Sequence, residues 1–191
     1  MSIDNIKTAS PQSQSAVGRI KEMIRVDQAG EYAAVQIYSA QLAVFKHAPG
    51  KTRITADLEH MAEDEQRHLK RFNELAAERK VRPTAFNPVW HVASYALGAA
   101  TALMGEKAAH ACTEAVEDVI EGHYKHQIEE LELLGDSEKD LKDTIIQFRD
   151  EEIAHKEHAL ANGAKEAPGY PVLSGIIRAG CKLAIRVAEK A

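Results

Sequence analysis

Apolar residues recur every three or four positions through most of the chain, which is the period of an α-helix. Stretches at about 15–46, 51–80, 88–104, 107–134, 138–162 and 171–190 follow that period. Turn-forming groups separate them: Ala48-Pro49-Gly50, Arg82-Pro83 with Asn87-Pro88, Gly105, Gly135-Asp136-Ser137 and Ala167-Pro168-Gly169. No alternating strand pattern interrupts the series. The pattern predicts an all-α protein with six helices in a single domain at 15–191, behind a flexible polar lead at 1–14. A run of about 28 residues would be ~42 Å long, which suits an up-and-down bundle.

Four of the apolar stripes carry ionisable residues where the period calls for core. The first reads Ile20, Ile24, Asp27, Glu31, Ala34, Tyr38, Leu42, Phe45, and the second Leu58, Met61, Glu65, His68, Phe72, Leu75. The fourth contains Thr113, Glu117, Ile120, Tyr124 and Leu131, and the fifth Leu141, Ile145, Phe148, Glu152, His155 and Ala159. A lone carboxylate inside a helical core costs several kcal/mol, and four facing one another would also repel. Two divalent cations remove both problems, since four carboxylates then balance them in charge. Glu65-x-x-His68 and Glu152-x-x-His155 set two donors one turn apart on a single helix face. Each is preceded by a stripe glutamate at a similar distance, 34 residues for Glu31 and 35 for Glu117. One Glu from each of two helices plus Glu-x-x-His from each of two others is the ligand set of ferritin-like carboxylate bundles with two metals. Oxygen donors with two imidazoles suit iron or manganese, and ligand type does not choose between them.

The two halves echo one another. Glu31, Tyr38 and Gln41 match Glu117, Tyr124 and Gln127 at an offset of 86. Tyr38 and Tyr124 each fall seven residues after a stripe glutamate, on the same face, where a phenol can pack, touch substrate or pass electrons. Asp64 and Glu151 each precede a stripe glutamate. A ligating histidine usually donates its second N–H to a carboxylate. Across the two-fold, Asp64 is placed to accept from His155, and Glu151 from His68.

Composition narrows the function further. The net charge of −5 leaves no basic footprint for nucleic acid. Cys112 and Cys181 form no paired ligand motif and read as two buried thiols in a reducing compartment. Residues 85–105 contain no Asp, Glu, Lys or Arg, and are short and Gly/Ala-rich for a membrane span. In the last helix Arg178, Lys182, Arg186 and Lys190 recur every four residues among many apolar ones. A basic amphipathic helix is a membrane-surface signal. Leu97, Leu103 and Met104 of the first segment, with Ile176, Ile177 and Leu183 of the second, are expected against lipid or a lipid-soluble substrate. The four basic residues are expected at the headgroups. Both segments thus read as additional membrane-interacting helices beside a four-helix bundle.

At this level of detail the chain resembles the demethoxyubiquinone hydroxylase family of ubiquinone biosynthesis. The likeness lies in Ile24-Arg25-Val26-Asp27-Gln28-Ala29-Gly30-Glu31-Tyr32, Gln41-Leu42-Ala43-Val44, Phe72-Asn73-Glu74-Leu75, Tyr95-Ala96-Leu97-Gly98, Ala111-Cys112-Thr113, Ala115-Val116-Glu117 and Phe148-Arg149-Asp150-Glu151-Glu152. It covers about residues 18–190. Two departures, Gln28 where the family has histidine and the Tyr32-Ala33-Ala34 stretch, leave the six expected ligands untouched. The resemblance implies a ferritin-like fold, a di-iron centre on Glu31, Glu65, His68, Glu117, Glu152 and His155, and O2-dependent hydroxylation of the quinone ring. It also implies NADH as reductant, with His123-Tyr124 matching a pair that assists electron transfer, although the chain has no Gly-rich dinucleotide fingerprint. Its further implications are peripheral attachment to the inner membrane and a lipid-binding partner from the same pathway. The attachment would be on the cytoplasmic face in a bacterium, or on the matrix face if a targeting segment has been removed. Homo-oligomerisation is left open. The competing readings are a ferritin-like iron oxidase or store, a di-manganese peroxide-handling protein and a metal-free membrane scaffold.

Overall fold

A computed structural model describes the backbone of residues 11–190 and the side chains of 15–190. The described residues form six α-helices: α1 (Pro11–Phe45), α2 (Thr52–Glu78), α3 (Asn87–Met104), α4 (Glu106–Glu132), α5 (Lys139–Ala161) and α6 (Tyr170–Lys190). Two short 3-10 turns, Gly135–Glu138 and Ala164–Glu166, lead into α5 and out of it. Among the described residues there is no strand. The ends fall within a few residues of those expected. The largest difference is at α1, which already includes 11–14, a part of the expected lead; a proline fits a helix's first turn because its missing N–H has no partner to lose there. The rest of the lead lies outside the described residues.

The two halves share more than a helix pair. Helix α1 packs on both α2 and α3, and α4 packs on both α5 and α6. The offset of 86 that relates Glu31 to Glu117 also carries 87–104, the span of α3, onto 173–190 within α6. The fold is therefore two copies of a three-helix unit. Helices α1, α2, α4 and α5 make the bundle, and α3 and α6 lie across the side formed by α1 and α4. The α1–α3 contact is close because of Gly98: a Cβ there would stand 2.3 Å from the Ile37 carbonyl oxygen. Gly105 makes the sharp junction between α3 and α4 at φ 115°, where a side chain would be strained.

Two apolar clusters plug the bundle. One contains Met23, Ile24, Phe72, Leu75, Leu131, Leu141, Ile145 and Phe148. The other contains Phe45, Ile54, Leu58, Met61, Ala102 and Ala109. Between them runs a belt of buried polar groups, and that belt positions the site.

Candidate metal centre

The belt takes one residue from α1, two from α2, one from α4 and two from α5. Glu31, Glu65, His68, Glu117, Glu152 and His155 are all buried, none more than 4% exposed. The helical period brings them together: each sits on its helix's inward stripe, so closing the four apolar stripes on one another also closes the ionisable positions. Two sets of donors result. Glu31, Glu65, His68 and Glu152 each offer one donor atom within 4.8 Å of the others, and so do Glu65, Glu117, Glu152 and His155. Glu65 and Glu152 belong to both sets. These acidic and histidine residues could form a metal site.

The imidazoles face inward through Nδ1. His68 Nδ1 lies 3.0 Å from Glu152 Oε1 and 3.5 Å from Glu31 Oε2. His155 Nδ1 lies 3.2 Å from Glu152 Oε2 and 3.4 Å from Glu65 Oε1. Their outer nitrogens are held from the opposite half. His68 Nε2 is 2.5 Å from Glu151 Oε2, and His155 Nε2 is 3.2 Å from Asp64 Oδ2. Arg67 donates to both of these acids and links them. Phe148 stacks on the His68 ring with centroids 4.0 Å apart, which fixes its plane.

The tyrosines cross over. Tyr38 does not bind the glutamate of its own helix; its hydroxyl donates to Glu117 Oε1 at 3.0 Å. Tyr124 likewise donates to Glu31. His123 stands apart from this centre. Its Nε2 lies 3.3 Å from Asp27, which also accepts a 2.8 Å hydrogen bond from Gln127.

Burial and the closeness of like charges shift the groups of the belt strongly. Burial, then the Glu152 and Glu31 carboxylates, holds the Glu65 carboxyl well above the usual range. Burial and the carboxylates of Glu152 and Glu65 do the same to Glu117. Burial works against a charged His68, but the Glu152 and Glu31 carboxylates outweigh it and push the imidazole up to about 12. The same competition, with Glu152 and Glu117, raises His155 to about 9. Several donors make no hydrogen bond at all: Glu31 Oε2, both Glu65 oxygens, His68 Nδ1, Glu117 Oε2 and Glu152 Oε1. Buried donors without partners are rare in proteins. These converge on two points, and two divalent cations would use all of them.

The family model for the ubiquinone biosynthesis protein COQ7 matches residues 18–188. The chain belongs to the COQ7 family. A protein of Rhodospirillum rubrum named 3-demethoxyubiquinol 3-hydroxylase is 51% identical over 94% of this chain and 82% of its own length. The human protein named NADPH-dependent 3-demethoxyubiquinone 3-hydroxylase, mitochondrial, is 46% identical over the whole chain and 82% of its own length. A Saccharomyces cerevisiae protein named 5-demethoxyubiquinone hydroxylase, mitochondrial, is 38% identical over 93% of the chain and 81% of its own length.

In this COQ7-family chain an apolar cavity of about 400 Å³ lies beside the belt, between α1, α3, α4 and α6. Small residues on α1 (Ala29, Gly30, Ala33) open it, and Leu97, Ile177 and Ile185 wall it. The residues expected at a membrane divide accordingly. Leu103, Met104, Ile176 and Leu183 are exposed, as are Lys182, Arg186 and Lys190. Leu97 is half-buried in the cavity wall. Of the two surroundings expected for Ile177, lipid or a lipid-soluble substrate, lipid contact is the one not seen: it is 3% exposed, packs on Ile37 and Val116 and faces the cavity. Arg178 departs from the headgroup role, since it pairs with Asp118 at 2.9 Å and Glu114 at 2.5 Å and thereby ties α6 to α4. No helix among the described residues is long and apolar enough to cross a membrane.

Glu114 has no role in the sequence reading, yet it is buried and takes hydrogen bonds from Tyr170, Ser174 and Arg178. It lies three residues before Glu117, but Thr113 beside it fills the stripe position; the signal available was an acid opposite the basic column of α6.

Proposed function

We propose that this chain is a monooxygenase that hydroxylates the ring of demethoxyubiquinol, with two iron ions held by Glu31, Glu65, His68, Glu117, Glu152 and His155. The observation that carries this reading is an apolar cavity set directly beside a buried carboxylate and imidazole cluster. That pairing suits an amphiphile with a reactive ring and an isoprenoid tail. The names of the relatives support the same substrate. Bound there, the two iron ions would supply the electrons that activate O2. One oxygen atom enters the ring C–H bond as a hydroxyl, and the other leaves as water with two protons and two electrons from outside.

The residues divide the remaining work. Glu65 and Glu152 belong to both donor sets, so they would help to hold both ions. Glu31 with His68, and Glu117 with His155, would each complete the donors for one ion. Asp64 and Glu151 keep the imidazole Nε2–H groups pointing outward, which leaves Nδ1 free as the donor. Tyr38 and Tyr124 fix the carboxylates of Glu117 and Glu31 by their hydroxyl hydrogen bonds. His123, nearest the surface, with Tyr124 behind it, forms the side on which electrons arrive from a reduced nicotinamide. NADH is the expected donor, and because mammalian relatives are named NADPH-dependent the two nucleotides should be compared directly.

The exposed apolar residues of α3 and α6 suggest that the cavity opens at a membrane surface, with Lys182, Arg186 and Lys190 at the headgroups. A lipid-binding protein of the pathway would deliver substrate to the same face. An iron store needs no apolar cavity of this kind, so the cavity favours the hydroxylase. The test is complementation: a cell lacking its own demethoxyubiquinone hydroxylase should regain ubiquinone when given this chain. Continued accumulation of the demethoxy precursor, with the protein expressed and iron-loaded, would refute the substrate assignment.

A further inference from the structure

We propose that Thr113 orients the substrate ring, its hydroxyl meeting a ring oxygen in the passage between the apolar cavity and Glu117. The proposal rests on the hydroxylase reading above and adds a specificity-determining residue to it. Thr113 lies one turn before Glu117 on α4 and is 2% exposed. Its hydroxyl makes no well-formed hydrogen bond: the polar group nearest it is the Tyr38 phenol, whose own proton goes to Glu117.

That is unusual for a helical threonine, which commonly donates to the carbonyl four residues back. Thr101 does so, to Leu97 at 2.9 Å. The corresponding carbonyl for Thr113 is that of Ala109, and the Gln41 side chain already donates to it at 3.5 Å. Leaving a buried hydroxyl unpaired costs about 1–3 kcal/mol, whereas valine would fill the same volume without that cost.

The hydroxyl has a direction to serve. A narrow gap, too tight for water in this conformation, is lined by Ala34, Ile37, Tyr38, Thr113, Val116 and Glu117. Ala34, Ile37 and Val116 also line the large cavity. The gap therefore lies between the cavity and the carboxylate of Glu117. A flat ring whose tail occupies the cavity would enter there by displacing the apolar side chains. Its oxygen would meet Thr113 as the first free polar group.

The internal two-fold sharpens the point. The offset of 86 pairs Thr113 with Asp27 and Ile37 with His123. In the other half these positions form a linked polar set, with Asp27 accepting from Gln127 through Oδ1 and facing His123, although its Oδ2 has no partner. In this half the same positions present an apolar wall and one unpaired hydroxyl. The two ends of a symmetric centre are thus made unlike, one for charge transfer and one for a lipid-soluble ring. The ligand is a ring bearing oxygens, quinone or hydroquinone: the threonine hydroxyl donates to the first or accepts from the second.

The experiment uses the full chain loaded with iron under anaerobic conditions. Binding of a short-tailed demethoxyubiquinone and of an isoprenoid alcohol without a ring is measured by calorimetry for wild type, Thr113→Val and Thr113→Ser. Loss of one neutral hydrogen bond predicts a Kd for the quinone about tenfold weaker in Thr113→Val. Thr113→Ser should stay within about twofold of wild type, and the alcohol should bind all three alike. Metal content should be unchanged throughout, and if valine disturbs it, Thr113→Ala against Thr113→Ser makes the same comparison. Equal quinone binding by Thr113→Val and wild type would overturn the role of Thr113 alone. So would equal losses for quinone and alcohol. Failure of wild type itself to bind the quinone would instead overturn the hydroxylase reading on which the proposal rests.

Discussion

Replacing Glu65 by glutamine should stabilise the metal-free protein and abolish its response to metal. Glu65 is fully buried, neither of its oxygens has a hydrogen bond, and the carboxylates of Glu152 and Glu31 hold its own carboxyl well above the usual range. Glutamine keeps the shape and is neutral without having to take up a proton on folding. A carboxyl that is ionised in the unfolded chain but must take up a proton to be buried costs about 1.4 kcal/mol for each pH unit above its usual value, roughly 1–4 kcal/mol between about pH 5 and about pH 7. The chain has 191 residues. At about 2.1 cal/mol/K per residue that corresponds to a rise of roughly 3–10 °C in Tm. Thermal melts would be recorded in chelator and then with ferrous ion under anaerobic conditions. Wild type should gain stability with metal, because the ion binds only the folded site. The variant should melt higher than wild type in chelator and gain nothing from metal. A variant that melts at or below wild type in chelator would refute the claim that the carboxylates are crowded. A variant that still responds to metal would remove Glu65 from the site.

Three further outcomes follow from the geometry. Glu151→Gln, which weakens the support of His68 Nε2, should lower iron affinity by about 10–100-fold in a competition titration while leaving the fold intact; unchanged affinity would separate Glu151 from the metal. Ala184→Trp fills the apolar cavity, so it should raise KM for a long-tailed substrate much more than for a tail-less ring; equal effects would place the tail elsewhere. Ile176→Asp with Leu183→Asp, both exposed in the parent, should abolish flotation with anionic liposomes. Neutralising Lys182, Arg186 and Lys190 should only weaken it in a salt-dependent way, at about 1 kcal/mol per basic residue; flotation indifferent to both changes would move the membrane face.

The ionisable belt was legible because it breaks the helical pattern where it should be most apolar. Glutamate at Glu65 and Glu152 on a core stripe demands an explanation, and an i, i+3 histidine supplies one. An offset of 86 between α1 and α4, and of 87 between α2 and α5, then made the cross-pairing of Asp64 with His155, and Glu151 with His68, a matter of symmetry. Less could be read where symmetry and periodicity say nothing about direction. Tyr38 was placed on the right face, but whether its hydroxyl meets Glu31 or Glu117 depends on the reach of a phenol across the bundle. Helix α6 is apolar over most of its circumference, so Ile176 and Ile177 look alike in sequence. The small residues Ala29, Gly30 and Ala33 on α1 leave the space toward which Ile177 turns. Arg178 belongs to the same basic column as Lys182, and the acids opposite it on α4, Glu114 and Asp118, distinguish it.

The most direct test of the central claim is the fate of molecular oxygen. Purified protein loaded with two irons per chain would be given demethoxyubiquinol, a reduced nicotinamide and 18O2, and the product ring examined by mass spectrometry. One labelled oxygen in the new ring hydroxyl, with none from water and none in Glu65→Ala, is the expected result. A product carrying only solvent oxygen, or no product from iron-loaded protein that binds the substrate, would contradict it.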